Sequence, residues 1–456
     1  MIAPLPVTEL AACCGATLHG VVGSLSDVTG LAIDSRRVGP GDLFVAIPGE
    51  RFDGHDFVAT AFERGAHAAL VQRPVDAMGP QLVVTDTEAA VASFAARIRA
   101  AYSGVLVGIT GSAGKTTTKN LLTSILARAG SVLATEGNQN NELGAPLTLA
   151  RLDATTEYAV LELGAGKPGD IERLCAFVRP TVAVLLNVGP AHLAQFGSLA
   201  AISKTKGALL DGLPPDGLAV INADETWSSD WRNRSEPARC LGYGLGESAD
   251  YRAVDLELMG FSGSRFVLQT PESEMVIELA LPGKQGVYNA LAAATVAHAL
   301  GVSPQGIVDG LAEVNPAPGR GSVHLQGEKN FLVDDSYNAN PMAVRAALDV
   351  LATEPGRRRL VLGAMLELGK ESDAFHQEVG RYAGQLGIEE LWVVGKVAAP
   401  AARAFGSAAR YFADIPDLLA AHPASAGADV TLIKASRGAQ LDRVVDAWVV
   451  TEETPC

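Results

Sequence analysis

At 456 residues the chain exceeds the size at which a single hydrophobic core stops growing, so two or three domains are expected. Its 36 Lys and Arg against 51 Asp and Glu give a net charge of −15 with neither sign gathered into blocks, a surface that repels nucleic acid and anionic lipid. A protein this acidic can hold anionic ligands only where cations are concentrated locally, in loops and at helix N-termini.

The N-terminus, MIAPLPVTELAACCGATLHG, has no basic region leading into an apolar stretch, and no apolar run approaches the roughly 20 residues of a spanning helix. A soluble cytoplasmic protein without membrane insertion is expected. The five cysteines, Cys13, Cys14, Cys175, Cys240 and Cys456, show no metal spacing, and their odd number in so long a chain fits a reducing compartment. Short apolar runs at 43–49, 68–72 and 82–86, separated by Ala-rich helical stretches, predict a small α/β domain over residues 1–101.

The pattern changes near Tyr102. VLVGIT (105–110) is a continuous apolar strand that enters a glycine loop and then a helix over about 115–129. Further buried strands at 158–163, 181–188 and 217–224, with helical patterns between them, predict a mostly parallel sheet. From 239 to 281 short alternating strands predict an antiparallel extension, closed by a helix over 287–300. These elements form a central domain over 102–314. The Pro- and Gly-rich NPAPGRG (315–321) reads as a linker, and beyond it FLVDDS, RLVLGAM, LWVVG and VTLIKAS alternate with helices, predicting a doubly wound, Rossmann-like third domain over 315–456.

The segment GITGSAGKTTT (108–118) lies between a strand and a helix, the setting a phosphate loop requires. Gly111, Ser112, Ala113 and Gly114 strip the loop of bulk so that backbone N–H groups from Gly111 to Lys115 can face an anion. Lys115, solvent-facing on this reading, reaches the terminal phosphates, Thr116 ligates Mg²⁺, and Thr117 completes the ATP-binding turn. Ile109 stands where the general P-loop pattern has glycine, which argues against an ordinary GTPase or kinase.

The loop TGSAGKTTT resembles that of the Mur ligases and folylpolyglutamate synthases. DSRRVGPGDLFVAIPGERFDGHDF (34–57), GNQNNELGAPLTLARL (137–152), LELGAGKPGDIERL (161–174), NVGPAHLAQFGSLAAISKTKGALL (187–210), DDSYNANPMAVRAAL (334–348) and VLGAMLELG (361–369) extend the resemblance through all three domains. They match the Mur branch that acts on UDP-N-acetylmuramoyl-tripeptide and D-alanyl-D-alanine. The resemblance implies amide formation in peptidoglycan precursor synthesis: ATP phosphorylates a carboxylate, the amine attacks the acyl phosphate, and phosphate leaves.

It further implies ATP and two Mg²⁺ ions, held by Thr116, Glu162, His192 and a carbamylated Lys206, with Lys204 as the alternative lysine. Lys115, His192 and Lys206 are then catalytic. Asn289 meets adenine, although Gln285 and Gly286 stand where the family has His-Asn, which leaves the contacts around those two positions open. Arg320 reaches the phosphates and Asp335 the ribose. Tyr337, Asn338 and Asn340 face ATP or the incoming amine, Asn140 and Asn141 bind substrate, and Ser35 and Arg36 hold the UDP-sugar. Lys434, Ser436 and Arg437 in KASRG (434–438) match a KGSR-like segment, with Ala435 replacing Gly. Without the resemblance, Glu162 reads as a strand-end carboxylate, His192 as a packed imidazole, Asn289 as a helix cap and DDSYNANP as an Asx-rich turn.

Two other readings compete: a relative that adds another residue or extends folate, and a P-loop switch that hydrolyses nucleotide without ligation. DDSYNANP speaks against the first and the 34–57 segment against the second. A monomer is expected. With site residues on three domains, the ligand-free protein is expected to be open about a hinge near 315–320, with Arg320 and Asp335 displaced from the phosphate loop.

Overall fold

The structure, a computed structural model, describes residues 1–20, 26–49, 52–326, 330–422 and 427–449; Cys456, and Glu50 and Arg51 of the 34–57 segment, lie outside them. Three sheets follow one another along the chain. The first orders Thr17–His19, Gln81–Val83, Ala68–Val71, Asp42–Val45 and Gly30–Ala32, parallel except for its first pair.

In the central sheet Val105–Thr110 lies between Tyr158–Glu162 and Val182–Leu185, all parallel. These strands are almost wholly apolar because helices cover both faces, so alternation is absent and neither face meets water. Their carboxyl ends come together at one edge, where doubly wound sheets bind ligands. The helix after the glycine loop is Lys115–Leu126, and the closing helix runs Gly283–Ala299, earlier than expected, which puts Gln285 and Gly286 inside it.

The expected antiparallel extension starts later than the sequence pattern indicates. Arg239–Gly244 pairs parallel with Leu218–Asn222, and Tyr251–Leu258 is parallel to it in turn; antiparallel pairing begins only at Ser264–Gln269 and Glu274–Leu279. The cause is the crossover helix Ser228–Ser235, whose polar sequence SSDWRNRS carries no apolar stripe beyond the buried Trp231. That crossover accounts for the first of the two parallel pairs and does not announce itself, whereas the second is joined through residues 245–250 without a helix.

The third sheet orders Ser322–Leu325, Phe331–Asp335, Val430–Lys434, Arg358–Leu362, Glu390–Val394 and Ala409–Phe412, parallel apart from its first, antiparallel edge. One continuous core joins the first two units: Leu43, Leu70, Leu82, Phe94 and Ile98 pack together with Leu149, Ile171, Leu174 and Leu209. The helix Thr87–Ala101 is the shared element, and Arg99 secures it by donating from Nε to Val178 O and from Nη2 to Arg179 O, both at 2.9 Å. The third domain has cores of its own on the two faces of its sheet. Among the described residues no helix is long and apolar enough to cross a membrane, and Cys13, Cys14, Cys175 and Cys240 are free thiols.

Candidate active site

The phosphate loop leaves the end of Val105–Thr110 and turns into its helix at Gly114, whose φ of +84° is left-handed. A Cβ at Gly114 would stand 2.3 Å from Asn289 Oδ1, so only glycine fits both the turn and the contact. Not every loop N–H faces outward, as the sequence suggests. Ser112 N–H donates to Asn187 O at 3.1 Å and Ala113 N–H to Asn187 Oδ1 at 2.9 Å. The N–H groups from Gly114 to Thr117 stand ahead of the first bond of the helix, Thr118 N–H to Gly114 O at 2.8 Å, and supply the anion-binding end.

The Lys115 side chain is folded back, not turned to solvent: Nζ donates to Gly111 O at 2.9 Å. Lys206, buried in the helix Leu199–Asp211, donates from Nζ to the same carbonyl at 3.1 Å. Two ammonium groups thus meet on one oxygen. Burial and the neighbouring Lys115 charge hold the Lys206 ammonium well below its ordinary range, and burial lowers Lys115 as well. Lys204, the alternative, is exposed and engages Arg234 only through its backbone carbonyl.

Glu162 ends its strand 4% exposed, with both carboxylate oxygens engaged: Oε2 accepts from Thr116 Oγ1 and Oε1 from Asn140 Nδ2, each at 2.8 Å. Asn141 Oδ1 accepts from Gly144 N–H at 2.9 Å, at the start of the following helix. His192 follows the strand Val182–Leu185 in a left-handed turn, φ 53°, and its Nδ1 contacts Glu367 Oε2 of the third domain. Glu367 is left-handed too, φ 64°, and its carbonyl accepts from Ala194 N–H at 3.1 Å. Strained backbone on both sides of one contact is a feature of functional junctions.

No group of three His, Cys, Asp or Glu gathers among the described residues. Thr116 and Glu162 nevertheless suit Mg²⁺, which is bound by one or two protein oxygens and completed by phosphates and water.

From the third domain, Arg320 stacks on the Tyr337 ring, its Cζ 4.2 Å from the centroid, and its charge depresses Lys115. Asp335 and Lys434 are opposite one another on adjacent parallel strands and pair at 2.5 Å; burial raises the Asp335 carboxyl while Lys434 and Arg320 pull it down. Asn340 caps the next helix through Ala343 N–H at 2.8 Å, and Asn338 O accepts from Lys434 at 3.1 Å. Asn289 Oδ1 accepts from Thr118 Oγ1 and Gln285 Nε2, each at 3.3 Å.

A cavity of about 880 Å³ collects these groups: Ser112 to Thr117, Asn140, Asn141, Glu162, His192, Asn289, Arg320, Asp335, Tyr337, Asn338 and Asn340 all line it, with Lys206 behind the wall at Gly111. The third domain is therefore drawn against the phosphate loop, not displaced from it as the sequence reading expects. A second cavity of about 820 Å³ lies between the first and central domains and shares Asn138 and Asn141 with the first. Asp34 and Arg37 line it, whereas Ser35 and Arg36 do not; Arg36 is exposed and folded onto the Asp34 carboxylate.

The structure adds three residues that carry no role in the sequence analysis. Asn187 pins the phosphate loop, Glu367 clasps His192, and Asp170 accepts from Gly166 and Lys167 N–H at 2.8 Å each beside the cavity. All three fall within the quoted segments, which is the only signal that could have found them. If Glu367 is the clasp, Glu367→Ala should loosen the closed arrangement and enlarge the radius of gyration in small-angle scattering. An unchanged radius would show that other contacts hold the domains together.

Comparison with known proteins agrees with this layout. The Mur ligase family catalytic domain matches residues 27–104, the Mur ligase middle domain 109–297, and the Mur ligase, glutamate ligase domain 319–437. The chain is 40% identical over 434 residues to the UDP-N-acetylmuramoyl-tripeptide--D-alanyl-D-alanine ligase of Escherichia coli (strain K12), covering 94% of this chain and 95% of that protein. It is 35% identical over 477 residues to the protein of that name from Mycobacterium tuberculosis (strain ATCC 25618 / H37Rv), covering 93% of each. Among solved structures, MurF from Acinetobacter baumannii superposes with a TM-score of 0.89 at 33% identity over 98% of both chains. The MurF ligase from Thermotoga maritima, in complex with ADP, gives 0.81 at 32% identity over 92% of this chain and 97% of that one.

Proposed function

Since this chain belongs to the Mur ligase family, we propose that it joins the amino group of D-alanyl-D-alanine to the terminal carboxylate of UDP-N-acetylmuramoyl-tripeptide, converting ATP to ADP and phosphate. The observation that carries this reading is the cavity itself, in which a phosphate loop, a hydroxyl–carboxylate pair and cations from two domains face one space. A carboxylate at neutral pH is a poor electrophile, and its attack on the γ-phosphorus brings like charges together. Lys115 and Arg320 offset that repulsion, and the helix N-terminus from Gly114 to Thr117 receives the phosphates. Thr116 and Glu162 would hold Mg²⁺, which supplies further charge neutralisation when bound.

Transfer of the γ-phosphoryl group makes an acyl phosphate. The dipeptide amine then forms the C–N bond, loses its proton, and phosphate departs with the C–O electron pair. The third domain, drawn over the phosphate loop, excludes water that would otherwise hydrolyse the acyl phosphate. Lys206 is read as the lysine that accepts CO₂: burial favours the neutral amine that carbamylation needs, and the product would be an anionic oxygen ligand beside His192. Asn289 and Gln285 are read as the adenine side, Asp335 as the ribose side, and the cavity bordered by Asp34 and Arg37 as the place of the UDP-sugar. A cytoplasmic location is consistent with the need for ATP.

Phosphate release measured with UDP-muramoyl tripeptide should rise on addition of D-alanyl-D-alanine and be negligible without it. Nucleotide hydrolysis indifferent to both compounds would replace this reading with a P-loop switch.

A further inference from the structure

The cations of the third domain are not equivalent. Lys434 is buried at 3% exposure and neutralised by Asp335. Arg320 faces the phosphate loop, where its charge is felt by Lys115 and Lys119. Arg437 lines the same cavity, is exposed, and among the described residues has no hydrogen bond or ion pair to its guanidinium. Its one partner is the Tyr337 ring, 5.1 Å from Cζ to centroid, the ring on which Arg320 also stacks.

The backbone beneath Arg437 is fixed. Ser436 Oγ donates to Ala339 O at 3.0 Å and accepts from Leu366 N–H at 3.0 Å, and Ser436 N–H donates to Ala364 O at 2.9 Å. The residue before Arg437 is thereby tied to both neighbouring loops of the cavity. A planar guanidinium steered by an aromatic ring, on an anchored loop and without an internal anion, is preorganised for a carboxylate.

We propose that Arg437, steered by Tyr337, binds the terminal carboxylate of the incoming dipeptide and so makes the enzyme select an amine that carries one. This rests on the ligase reading above. An extended dipeptide spans at most about 7 Å, so its carboxylate must meet a cation near the phosphate-binding groups yet separate from them. Arg437 meets that requirement, one aromatic ring away from Arg320. Arg320 and Lys167 also line the cavity without an ion pair among the described residues, but Arg320 faces the phosphate loop and Lys167 projects from an exposed turn of the central domain.

The test compares D-alanyl-D-alanine with D-alanyl-D-alaninamide, in which the carboxylate is a neutral amide. The wild-type protein should show a KM for the amide about 10- to 100-fold higher, the range for a bond to a charged group. Arg437→Gln should raise the dipeptide KM by a similar factor, erase the discrimination, and leave the KM for ATP and for the muramoyl tripeptide within about 2-fold, a change too small to reflect a lost charged contact. Arg437→Lys, which keeps charge but not the fork, should fall between them. Retained discrimination in Arg437→Gln, its loss in Lys167→Gln instead, or a raised KM for the tripeptide alone would each overturn the assignment while the ligase reading stands. A wild-type protein that ligates neither amine would overturn the ligase reading, and this proposal with it.

Discussion

Lys115→Ala should lower ligation by at least about 10²–10³-fold, the loss that follows removal of one preorganised charge partner in a water-excluded site and equivalent to roughly 3–4 kcal/mol of transition-state stabilisation. The fold should persist. The ammonium's one internal hydrogen bond is to Gly111 O, an acceptor that Lys206 also serves, so truncation leaves no orphaned carbonyl. Steady-state turnover together with the thermal midpoint reads both halves of the expectation. Near-normal turnover would remove Lys115 from the phosphate site, and a collapsed midpoint would make it a structural residue instead.

The second large effect is expected at Lys206. Lys206→Ala should remove most activity, about 10²-fold or more, because it deletes the anionic oxygen that a carbamylated lysine would add next to His192. Formate or another short carboxylate should restore part of the rate by occupying the vacated volume. Lys204→Ala is the control: its side chain is exposed and outside the cavity wall, so its activity should stay near that of the wild type. An inactive Lys204→Ala beside an active Lys206→Ala would transfer the role.

Much of the phosphate-binding end was legible because its signals are local. A continuous apolar strand, a run of small residues and a helix beginning at Lys115 lie consecutively in the chain, and local sequence determines how they connect. Contacts that depend on chain separation were not legible in the same way. Asn187 holds Ala113 from 74 positions away, and nothing in NVGP says that its amide faces the loop. Lys434 meets Asp335 only because parallel register sets their strands side by side, and the sequence names both residues in separate motifs without pairing them. The same limit explains Arg36 and Arg37: both follow Asp34, but the short turn Ser35–Arg37 sends one onto that carboxylate and the other toward the second cavity. Glu367 was quoted as part of GAMLELG without a role, since its meaning depends on how the third domain lies against His192.

The helix Thr87–Ala101 has a thermodynamic consequence. Its buried Phe94 and Ile98 are inside a core that also contains Leu149, Ile171 and Leu174, so melting the first domain would strip apolar cover from the central one. Exposed area of that kind costs about 25 cal/mol per Å², which couples the two transitions. The third domain meets the central one through Phe261, which enters one of its cores and donates its N–H to Glu354, and through His192 against Glu367, while the rest of its cores lie within its own sheet. The three sheets are therefore expected to unfold as two cooperative units, with the boundary at the linker near Asn315 and the junction at Tyr102 within a single unit.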